Sequence, residues 1–521
     1  MRRDTLKKSR FVTILNKVSM IWRWILNKQN ALNHWMHGKY TANKIALATS
    51  GLVGIILIIM LFTPPYMGIA DDGTLYKVMN RNGLSYIENN PEDIYNNYFI
   101  KIYFIDKNAT SQSTMNGSHD LFVKAAILLD NFVTGDQYFD IRFLAFIYSI
   151  LFLPVIYIIV KHTCLRIENF SEAAAIGVLA IVIFGDISFL SYFNSLYPEA
   201  LWIIGALYCI AAIIRLQDKN NSYLSLLLLG VFGIIFCTTR QQCGVIGFIL
   251  SGFSIRAIFL NKQLVWKTCC VLLSFTLSIT GIVTIFRMES DFTIDSKHHA
   301  MTRGVLFQAE NPEVALREFG INPSYSVLAN TSTYNFYPFV KAGNQQLQDN
   351  FYNKYNSTDI VLYYLRHPVS FFRMLDVAVK STTNLRRNFC GNYEKSAGMP
   401  KMAQGLFWSG WSNLKDRSAP KTIGYLILLI LLSYIVNKRR TRSRAIIREG
   451  QGINLLFNIT VVIAAIGLSQ AAISIVLSGD AELTQHAFLL GAALDLIVFF
   501  LVAKALPSLN ILQDGVERIE K

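Results

Sequence analysis

Two adjacent carboxylates, Asp71 and Asp72, follow a long apolar segment within the stretch "FTPPYMGIADDGTLYKVM", residues 62–79. A carboxylate next to a bilayer is tolerated where it faces water or lines a polar cavity. There it can act as a general base towards a hydroxyl, and burial beside a second carboxylate raises its pKa towards neutrality. An Asx-type turn, whose side chains only accept hydrogen bonds from backbone amides, accounts for the same residues without chemistry. Both interpretations stay open from these residues alone.

A second polar group lies in "SYFNSLYPEALW", residues 191–202, between two apolar segments. Glu199 begins the second of these segments, where a carboxylate interacts favourably with the positive end of the helix dipole. The alternative is that Asn194, Tyr197 and Glu199 face the same cavity as Asp71 and bind substrate hydroxyls. Both explanations of Glu199 remain open.

A third group is cationic. Arg240, in "TTRQQCG", is the one Lys or Arg of the short predicted outer loops, and arginine is suited to bidentate contacts with phosphate. Contact with phospholipid head groups is the alternative. We expect Gln241 beside it, and His298, His299 and Arg303 after the seventh apolar segment, to complete a positively charged rim, although the two histidines also fit exposed loop positions.

The elements that position these residues are membrane helices. Hydrophobic residues make up 52% of the chain and charged residues 16%, a composition far from that of soluble domains. Apolar segments long enough to cross a hydrocarbon core of about 30 Å recur along the chain. We predict an all-α polytopic membrane protein with about ten transmembrane helices, at residues 45–63, 141–160, 172–190, 199–215, 222–238, 244–260, 267–286, 421–437, 453–478 and 484–504. The fifth and sixth of these also fit a re-entrant pair.

The distribution of Lys and Arg predicts the orientation, because cytoplasmic loops retain positive charge. With the N-terminus inside, the inner segments carry 22 of these residues and the short outer loops carry one. Both termini are therefore expected in the cytoplasm of a cell with this protein in its plasma membrane. The net charge of +15 is then mainly a topology signal, and no nucleic-acid partner is expected.

The predicted organisation has five parts. They are a basic amphipathic cytoplasmic segment on the inner leaflet, seven membrane helices with a long outer loop, an extracytoplasmic domain, three membrane helices and a cytoplasmic tail, at residues 1–44, 45–286 (loop 64–140), 287–420, 421–504 and 505–521.

The two long outer segments are expected to be mostly helical. Residues 119–133 place Leu121, Leu128 and Phe132 on one helical face, which predicts a helix lying on the outer membrane surface. In the second segment, Asn311 and Pro312 are a typical helix start, and further helices are predicted at 358–366 and 368–382. This segment is therefore predicted to be a small, mostly helical extracytoplasmic domain.

The stretches "GIADDGTLYKVMNRNGL", "YFNSLYPEA" and "NPEVALREFGINPSYSVLANTSTY" resemble bacterial hexose transferases of surface-glycan biosynthesis, including enzymes of S-layer glycans and wall polysaccharides. The topology as a whole resembles the GT-C superfamily of membrane glycosyltransferases. The motif after the first span in that family has an Asp-Asn-Gly-Asp character, whereas this chain reads Asp71-Asp72-Gly73-Thr74. The resemblance therefore supports Asp71 and leaves the role of Asp72 open.

The resemblance implies transfer of a hexose-type sugar from a polyprenyl-phosphate donor to a surface glycan at the outer face of the lipid bilayer. Asp71, Asp72 and Glu199 are then the predicted catalytic group, with Asp71 as general base. Arg240 and Arg303 are expected to bind the donor phosphate. Asp71 and Asp72 are compatible with Mg²⁺ or Mn²⁺ without requiring either ion.

Two other classes are weighed against this one. A transporter or flippase of lipid-linked glycans predicts ionisable residues within the membrane, for which Asp186 and Asp495 are candidates, and matching halves, which the sequence lacks. An outer-face polymerase or acyltransferase is the other class. An acyltransferase is expected to need a histidine within a span, and none of the eight histidines lies clearly inside one.

Overall fold

The computed structural model describes most of the chain. The described residues are 20, 24, 27–36, 38, 40–88, 90–106, 116–165, 167, 169–216, 222–287, 293–333, 344–383, 385–386, 390–444, 455–481 and 483–519. Residues 1–19 of the amphipathic segment predicted at residues 1–44 lie outside the described residues.

The fold is dominated by helices. In chain order the α-helices are α1 (Ala42–Leu61), α2 (Tyr76–Asn82), α3 (Pro91–Ile94), α4 (Ser118–Thr134), α5 (Arg142–Cys164), α6 (Phe170–Phe184), α7 (Ile187–Leu190), α8 (Glu199–Leu216), α9 (Tyr223–Cys237), α10 (Gly244–Ala257), α11 (Leu264–Arg287), α12 (Ile294–His299), α13 (Leu306–Gln308), α14 (Pro312–Glu318), α15 (Gln345–Asn350), α16 (Ser357–Arg366), α17 (Pro368–Thr382), α18 (Gly410–Ser418), α19 (Ile423–Arg444), α20 (Leu455–Ser478), α21 (Leu483–His486) and α22 (Phe488–Ile519). The strands are β1 (Met67–Ile69), β2 (Leu84–Ser85), β3 (Ile102–Ile105), β4 (Tyr138–Asp140) and β5 (Cys390–Tyr393).

The prediction of an all-α polytopic membrane protein is confirmed, with a lower count of spans. Every one of the ten predicted segments overlaps a helix. Among the described residues, seven helical stretches are long and apolar enough to cross a membrane, or nine if each of two bent pairs forms one span. The helix left over is α9, because its 15 residues extend only about 22 Å.

The two bent pairs differ in the size of their bends. Between α6 and α7 the axis turns by 49° at Gly185 and Asp186, because the Asp186 carboxylate caps the new helix by accepting the Ser188 N–H at 2.9 Å. Between α18 and α19 the axis turns by 109°. A charged, short α18 therefore crosses almost perpendicular to the apolar α19.

Small sheets hold the two long segments together, a feature that the sequence pattern did not predict. Strand β1 pairs antiparallel with β5, with Met67 opposite Tyr393, and so joins the segment after α1 to the one before α19. A second sheet has the order β2-β3-β4. These strands are two to four residues long, too short for an alternating pattern to be recognised. Both long segments lie at the same end of the bundle, which we call the loop-rich end.

The helices predicted within these segments are confirmed. Helix α4 exposes Leu121, Leu128 and Phe132, as expected of a face that contacts a membrane surface, and buries Val123 and Ala126. In the second segment α14, α16 and α17 agree with the predicted bounds to within two residues.

The caps agree as well. Asn311 caps α14 by accepting the amide hydrogens of Glu313 and Val314. At the other end of the chain, α22 continues as helix through most of the predicted tail to Ile519. Which face of the membrane the loop-rich end occupies stays a prediction.

Candidate functional site

Asp71 lies directly after β1 and is almost completely buried, with 3% of its surface exposed. Its Oδ1 accepts hydrogen bonds from the backbone amides of Gly73 at 2.7 Å and Leu75 at 3.3 Å. Its Oδ2 accepts the hydroxyl of Tyr86 at 2.5 Å. The predicted Asx-type turn is therefore present. Tyr86 is an additional side-chain partner that such a turn does not require.

Burial raises the pKa of Asp71 above its ordinary value, and the nearby charge of Asp72 adds to that rise. The hydrogen bonds from Tyr86, Gly73 and Leu75 act in the opposite direction because they stabilise the ionised form. Burial also raises the pKa of the Tyr86 phenol, so Tyr86 stays protonated and donates to Asp71. A carboxylate with a raised pKa is a stronger base than an ordinary aspartate.

Asp72 is half-buried and has a different environment. Its Oδ1 accepts the Tyr197 hydroxyl at 2.6 Å, and the Thr74 amide and hydroxyl at 3.1 and 2.6 Å. The Asp72 amide in turn donates to the Tyr197 hydroxyl at 2.9 Å. Burial raises the pKa of Tyr197, so its phenol remains a donor. Among the described residues, no hydrogen bond ends on Oδ2 of Asp72, which leaves this oxygen for a ligand.

The segment before α8 positions the carboxylate pair. Asn194 is fully buried, and its Nδ2 donates to the carbonyls of Leu61 at 3.1 Å and Met67 at 3.0 Å. It thereby ties the end of α1 to the start of β1. A Cβ on Gly68 would lie 2.6 Å from the Asn194 carbonyl oxygen, so only glycine allows this close approach. Asn194 thus acts as a positioning residue, with its amide hydrogens used on the backbone.

Arg240 is held between α8 and α4. The Trp202 indole of α8 donates to Thr239 Oγ1 at 2.9 Å, which fixes the turn before Arg240 against the first turns of α8. The amide of Ser118, the first residue of α4, donates to the Thr238 carbonyl at 2.9 Å. Gln241, also predicted, donates its side-chain amide to the Ile285 carbonyl at 2.8 Å.

A second arginine of this region was missed by the sequence analysis. Arg81 lies on α2, and its Nε is 3.1 Å from Asp120 Oδ2 of α4. Asn82 donates to the other oxygen of Asp120 at 3.2 Å. The pKa of neighbouring His119 is lowered to about 4, mainly by burial; Asp120 opposes this change, and the charges of Arg81 and Arg240 contribute to it. Arg81 and Arg240 are therefore within electrostatic range of the same imidazole.

These contacts link the carboxylate pair, α2, α4, the turn before Arg240 and α8 in a closed series at the loop-rich end, which we call the carboxylate circuit. Helix α2 links the carboxylate pair to Arg81, and Tyr197 links it to Glu199, which is fully buried at the start of α8. The remaining links are Arg81 with Asp120, Ser118 with Thr238, and Trp202 with Thr239. Three carboxylates and two guanidinium groups are thus carried by elements in mutual contact. Such a set can bind hydroxyls and a phosphate together.

The signal for Arg81 was present in the sequence. It lies ten residues after Asp71, within the same quoted motif, and one turn after Lys77. A short helix beginning after the carboxylates would have indicated that Arg81 is carried by the same element. The sequence does not show Asp120 as its partner.

The predicted positive rim is wrong for the two histidines. His298 and His299 are buried, and burial lowers the pKa of His298 to about 4. His298 contacts the hydroxyls of Tyr352 and Thr331, each at 2.9 Å. His299 Nε2 accepts the backbone N–H of Thr333 at 3.1 Å, so this nitrogen carries no proton and the ring is neutral. The two imidazoles fix the segment around residue 331 and add no positive charge.

Arg303 is neutralised by a carboxylate. It lies in a π-helix, Ala300–Val305, and forms two parallel hydrogen bonds to Asp480, at 2.7 and 3.0 Å. The Asp480 amide donates to the Arg303 carbonyl at 3.2 Å. Arg303 therefore anchors this π-helix to the turn that follows α20, whereas Arg240 and Arg81 belong to the elements that are linked to the carboxylate pair.

A family model described as the YfdI N-terminal transmembrane domain matches residues 30–519. The chain belongs to this family. No curated protein and no solved structure matches it.

A narrow apolar crevice lies in this YfdI-type membrane domain. The space between its atoms amounts to about 410 Å³, part of it open to the surroundings, but only about 20 Å³ has room for a water-sized group. Apolar residues of α6 to α8, α20 and α22 line it. On α8 these include Ile203, Ala206 and Ile210. Glu199 precedes Ile203 by one turn and lies on the same helical stripe. The crevice therefore begins about 6 Å below Glu199 and runs along the helices.

Asp186 and Asp495, the two residues that a transporter would be expected to use, both contact the same helix. Asp186 is fully buried and also accepts the amide and hydroxyl of Ser412, at 3.0 and 3.3 Å. Asp495 of α22 forms an ion pair with Lys415 at 2.7 Å, with exposed side-chain fractions of 1% and 8%. Ser412 and Lys415 are both on α18. The two residues thus fix α18 against α7 and α22.

Metal ligation has a limited basis. Within the described parts of the chain, no three His, Cys, Asp or Glu side chains come together as a metal cluster. Asp71 and Asp72 remain the predicted pair for Mg²⁺ or Mn²⁺, with Oδ2 of Asp72 as the oxygen that accepts no hydrogen bond from the described residues.

Proposed function

We propose that this protein is a membrane glycosyltransferase that moves a hexose-type sugar from a polyprenyl-phosphate donor to a hydroxyl of a cell-surface glycan. The observation that carries this proposal is the circuit of three carboxylates and two arginines above an apolar crevice. Membership of the YfdI family, which is GT-C-like, supports the same reaction class. The reaction takes place at the loop-rich end, on the outer face of the plasma membrane, as the excess of Lys and Arg at the opposite end supports.

The donor spans both parts of the site. Its phosphate binds Arg240 and Arg81, because guanidinium groups make bidentate, charge-assisted hydrogen bonds to phosphate oxygens. Its isoprenoid tail enters along the apolar crevice, whose wall on α8 begins at Ile203, one turn after Glu199. The sugar then lies between the crevice and the carboxylate pair.

Asp71 is the general base. Its Oδ1 already accepts two hydrogen bonds, whereas Oδ2 accepts only that of Tyr86 and can receive a second. The acceptor hydroxyl gives its proton to Asp71 as its oxygen forms a bond to the anomeric carbon. The bond from that carbon to the phosphate oxygen breaks, and polyprenyl phosphate leaves as an anion that the arginines stabilise. Attack opposite the leaving phosphate inverts the anomeric configuration.

The other carboxylates hold the sugars. Asp72 binds a hydroxyl through Oδ2, while Tyr197 and Thr74 fix its other oxygen. Glu199, at the end of the crevice, binds a hydroxyl of the donor sugar. Asp71 and Asp72 are also oxygen ligands of the kind that Mg²⁺ or Mn²⁺ prefers. Each step above is carried by the chain's own residues.

The test is the sugar composition of the surface polysaccharide in a deletion strain, complemented with wild-type protein or Asp71→Asn. We expect one side-chain sugar to disappear and its polyprenyl-phosphate donor to accumulate, and only the wild-type protein to restore it. Unchanged composition, with whole lipid-linked glycans accumulating instead, would favour a flippase.

A further inference from the structure

The segment between α11 and α19 carries a groove that the proposed reaction does not use. Two adjoining open cavities, of about 420 and 180 Å³ measured as room for water-sized groups, share Glu318, Tyr363 and Arg366 as lining residues. They lie between α14, α16 and the start of α17. We call them together the distal groove.

The charges in the distal groove are balanced. Three acidic and three basic side chains line it, namely Glu310, Glu318, Asp359, Lys354, Arg366 and Arg373. Glu310 lies 3.8 Å from Arg373, so these two charges compensate each other, and Glu318 is hydrogen-bonded to His367 at 3.0 Å. A polyanion or polycation would find no complementary field here. A neutral ligand rich in hydroxyls would find both hydrogen-bond donors and acceptors.

Aromatic rings form part of the lining. Phe319, Tyr363 and His367 pack in sequence as tilted pairs, with centroid separations of 5.5 Å for the first pair and 4.4 Å for the second. Tyr363 is buried between the other two rings. The half-buried rings of Phe319 and His367, next to carboxylate and guanidinium groups, suit a sugar ring, which presents an apolar C–H face and polar edges.

The position of the groove separates it from the reaction centre. Helix α17 begins at the groove and, over 15 residues or about 22 Å, reaches Thr382, which packs against Gly491 of α22. Phe488, three residues before Gly491, has its ring 5.0 Å from that of Tyr192, close to the Asn194 segment. Along this series of contacts the groove lies about one helix length from the carboxylate circuit, so it is treated as a site separate from that of the sugar that reacts.

We infer that the distal groove binds a stretch of the acceptor polysaccharide several sugar units away from the hydroxyl that is modified. This inference rests on the proposed function for the identity of the acceptor. Binding of remote units holds the chain near the reaction centre and raises the efficiency of transfer to long acceptors. Short acceptors cannot reach both sites and gain nothing from the groove.

The test uses full-length protein in nanodiscs with labelled polyprenyl-phosphate hexose as donor. The acceptors are unmodified surface polysaccharide from the deletion strain, as long chains and as single repeat units. We expect Arg366→Ala and Glu318→Gln each to raise the KM for long chains about tenfold, as for loss of a charge-assisted hydrogen bond. The kcat and the kinetics with single repeats should stay unchanged. Arg317→Ala is the control, because Arg317 is exposed on α14 beside Glu318 but does not line the groove.

Unchanged kinetics with long chains would overturn the inference, and so would an equal loss with both acceptors at an unchanged melting temperature. Binding of the long polysaccharide to the same nanodiscs, without donor, separates the two proposals. If the wild-type protein transfers no sugar but binds the polysaccharide more tightly than Arg366→Ala does, the proposed reaction is wrong and the proposed binding role of the groove is supported. Equal binding by both proteins would refute that role.

Discussion

The carboxylates at the loop-rich end differ from those inside the membrane domain in how they are held. Asp186 accepts hydrogen bonds on both oxygens, from Ser188 and Ser412, and Asp495 is paired with Lys415 at 2.7 Å. Oδ2 of Asp72 accepts no hydrogen bond from the described residues, and Tyr197 and Thr74 hold its other oxygen. Asp186 and Asp495 thus hold a helix bend and a helix contact in place, whereas Asp72 keeps an oxygen that a ligand can use.

This difference distinguishes a transferase from a transporter. A proton or ion path through the membrane needs ionisable groups that change partners during the cycle. Asp186 and Asp495 are instead fixed by one short helix, α18, which serves as a structural clamp. The loop-rich end carries Asp71 and Asp72 together with Arg81 and Arg240, the set of groups that the proposed transfer from a phosphate-linked sugar uses.

Among substitutions at the loop-rich end, loss of Asp71 as the general base should give the largest effect. We expect Asp71→Asn to lower the rate of transfer by about 10²- to 10⁴-fold, the contribution of a general base, without a change in melting temperature. Initial rates with saturating donor measure it. Asp349→Asn, at an exposed position of α15, is the matched control and should transfer normally. A near-normal rate for Asp71→Asn would exclude Asp71 as the base.

Breaking the Asp495–Lys415 pair inside the membrane domain should lower the stability of the protein and should not act on the transfer reaction itself. Lys415→Met leaves Asp495 buried without its counter-charge, which typically costs about 3–5 kcal/mol. We expect a large drop in the melting temperature of the purified protein, and recovery in the double variant Lys415→Met/Asp495→Leu. If Lys415→Met is as stable as the wild type but inactive, the pair belongs to the functional machinery and the comparison fails.

The arginines should control the use of the donor. Arg81→Gln and Arg240→Ala each remove charge-assisted hydrogen bonds, and we expect the KM for the polyprenyl-phosphate donor to rise about 10- to 100-fold. The KM for the acceptor should change little. Lys77→Ala is the control, since Lys77 is exposed on the same helix as Arg81. A loss of acceptor affinity instead would place the phosphate elsewhere.

The smallest effect is a shift in pH dependence. Asp71 must be ionised to accept a proton, so kcat/KM should fall as the pH drops through its raised pKa. The Tyr86 hydrogen bond lowers that pKa, and Tyr86→Phe should therefore move the acid limb upwards, by about one pH unit. Tyr76→Phe, at an exposed position, should leave the limb in place. A downward shift would contradict the assigned role of Tyr86.

Local signals predicted the helices well. The Asn311–Pro312 start, the apolar face of α4 and the bounds of α16 and α17 depend on residues within one or two turns of each other. The carboxylate pair and its link to Tyr197 were also predicted as one site, although 125 residues separate the two partners. In that case the position of each residue next to a predicted span supplied the long-range information.

The remaining features depend on contacts that no local pattern encodes. Asp120 meets Arg81 because α4 packs beside α2, and Lys415 meets Asp495 from 80 residues away. The two histidines have the sequence of an exposed basic loop, yet both are buried inside a packed segment, where burial lowers the pKa of His298. The short strands likewise become visible only once their partners are known.

The central claim is tested most directly with purified wild-type protein in proteoliposomes, given a synthetic polyprenyl-phosphate hexose labelled in the sugar and the unmodified polysaccharide of the deletion strain. The account predicts that the label moves into the polysaccharide with inverted anomeric configuration, and that Asp71→Asn protein with the same melting temperature transfers none. Absence of transfer by the wild-type protein, or equal transfer by both proteins, would contradict it.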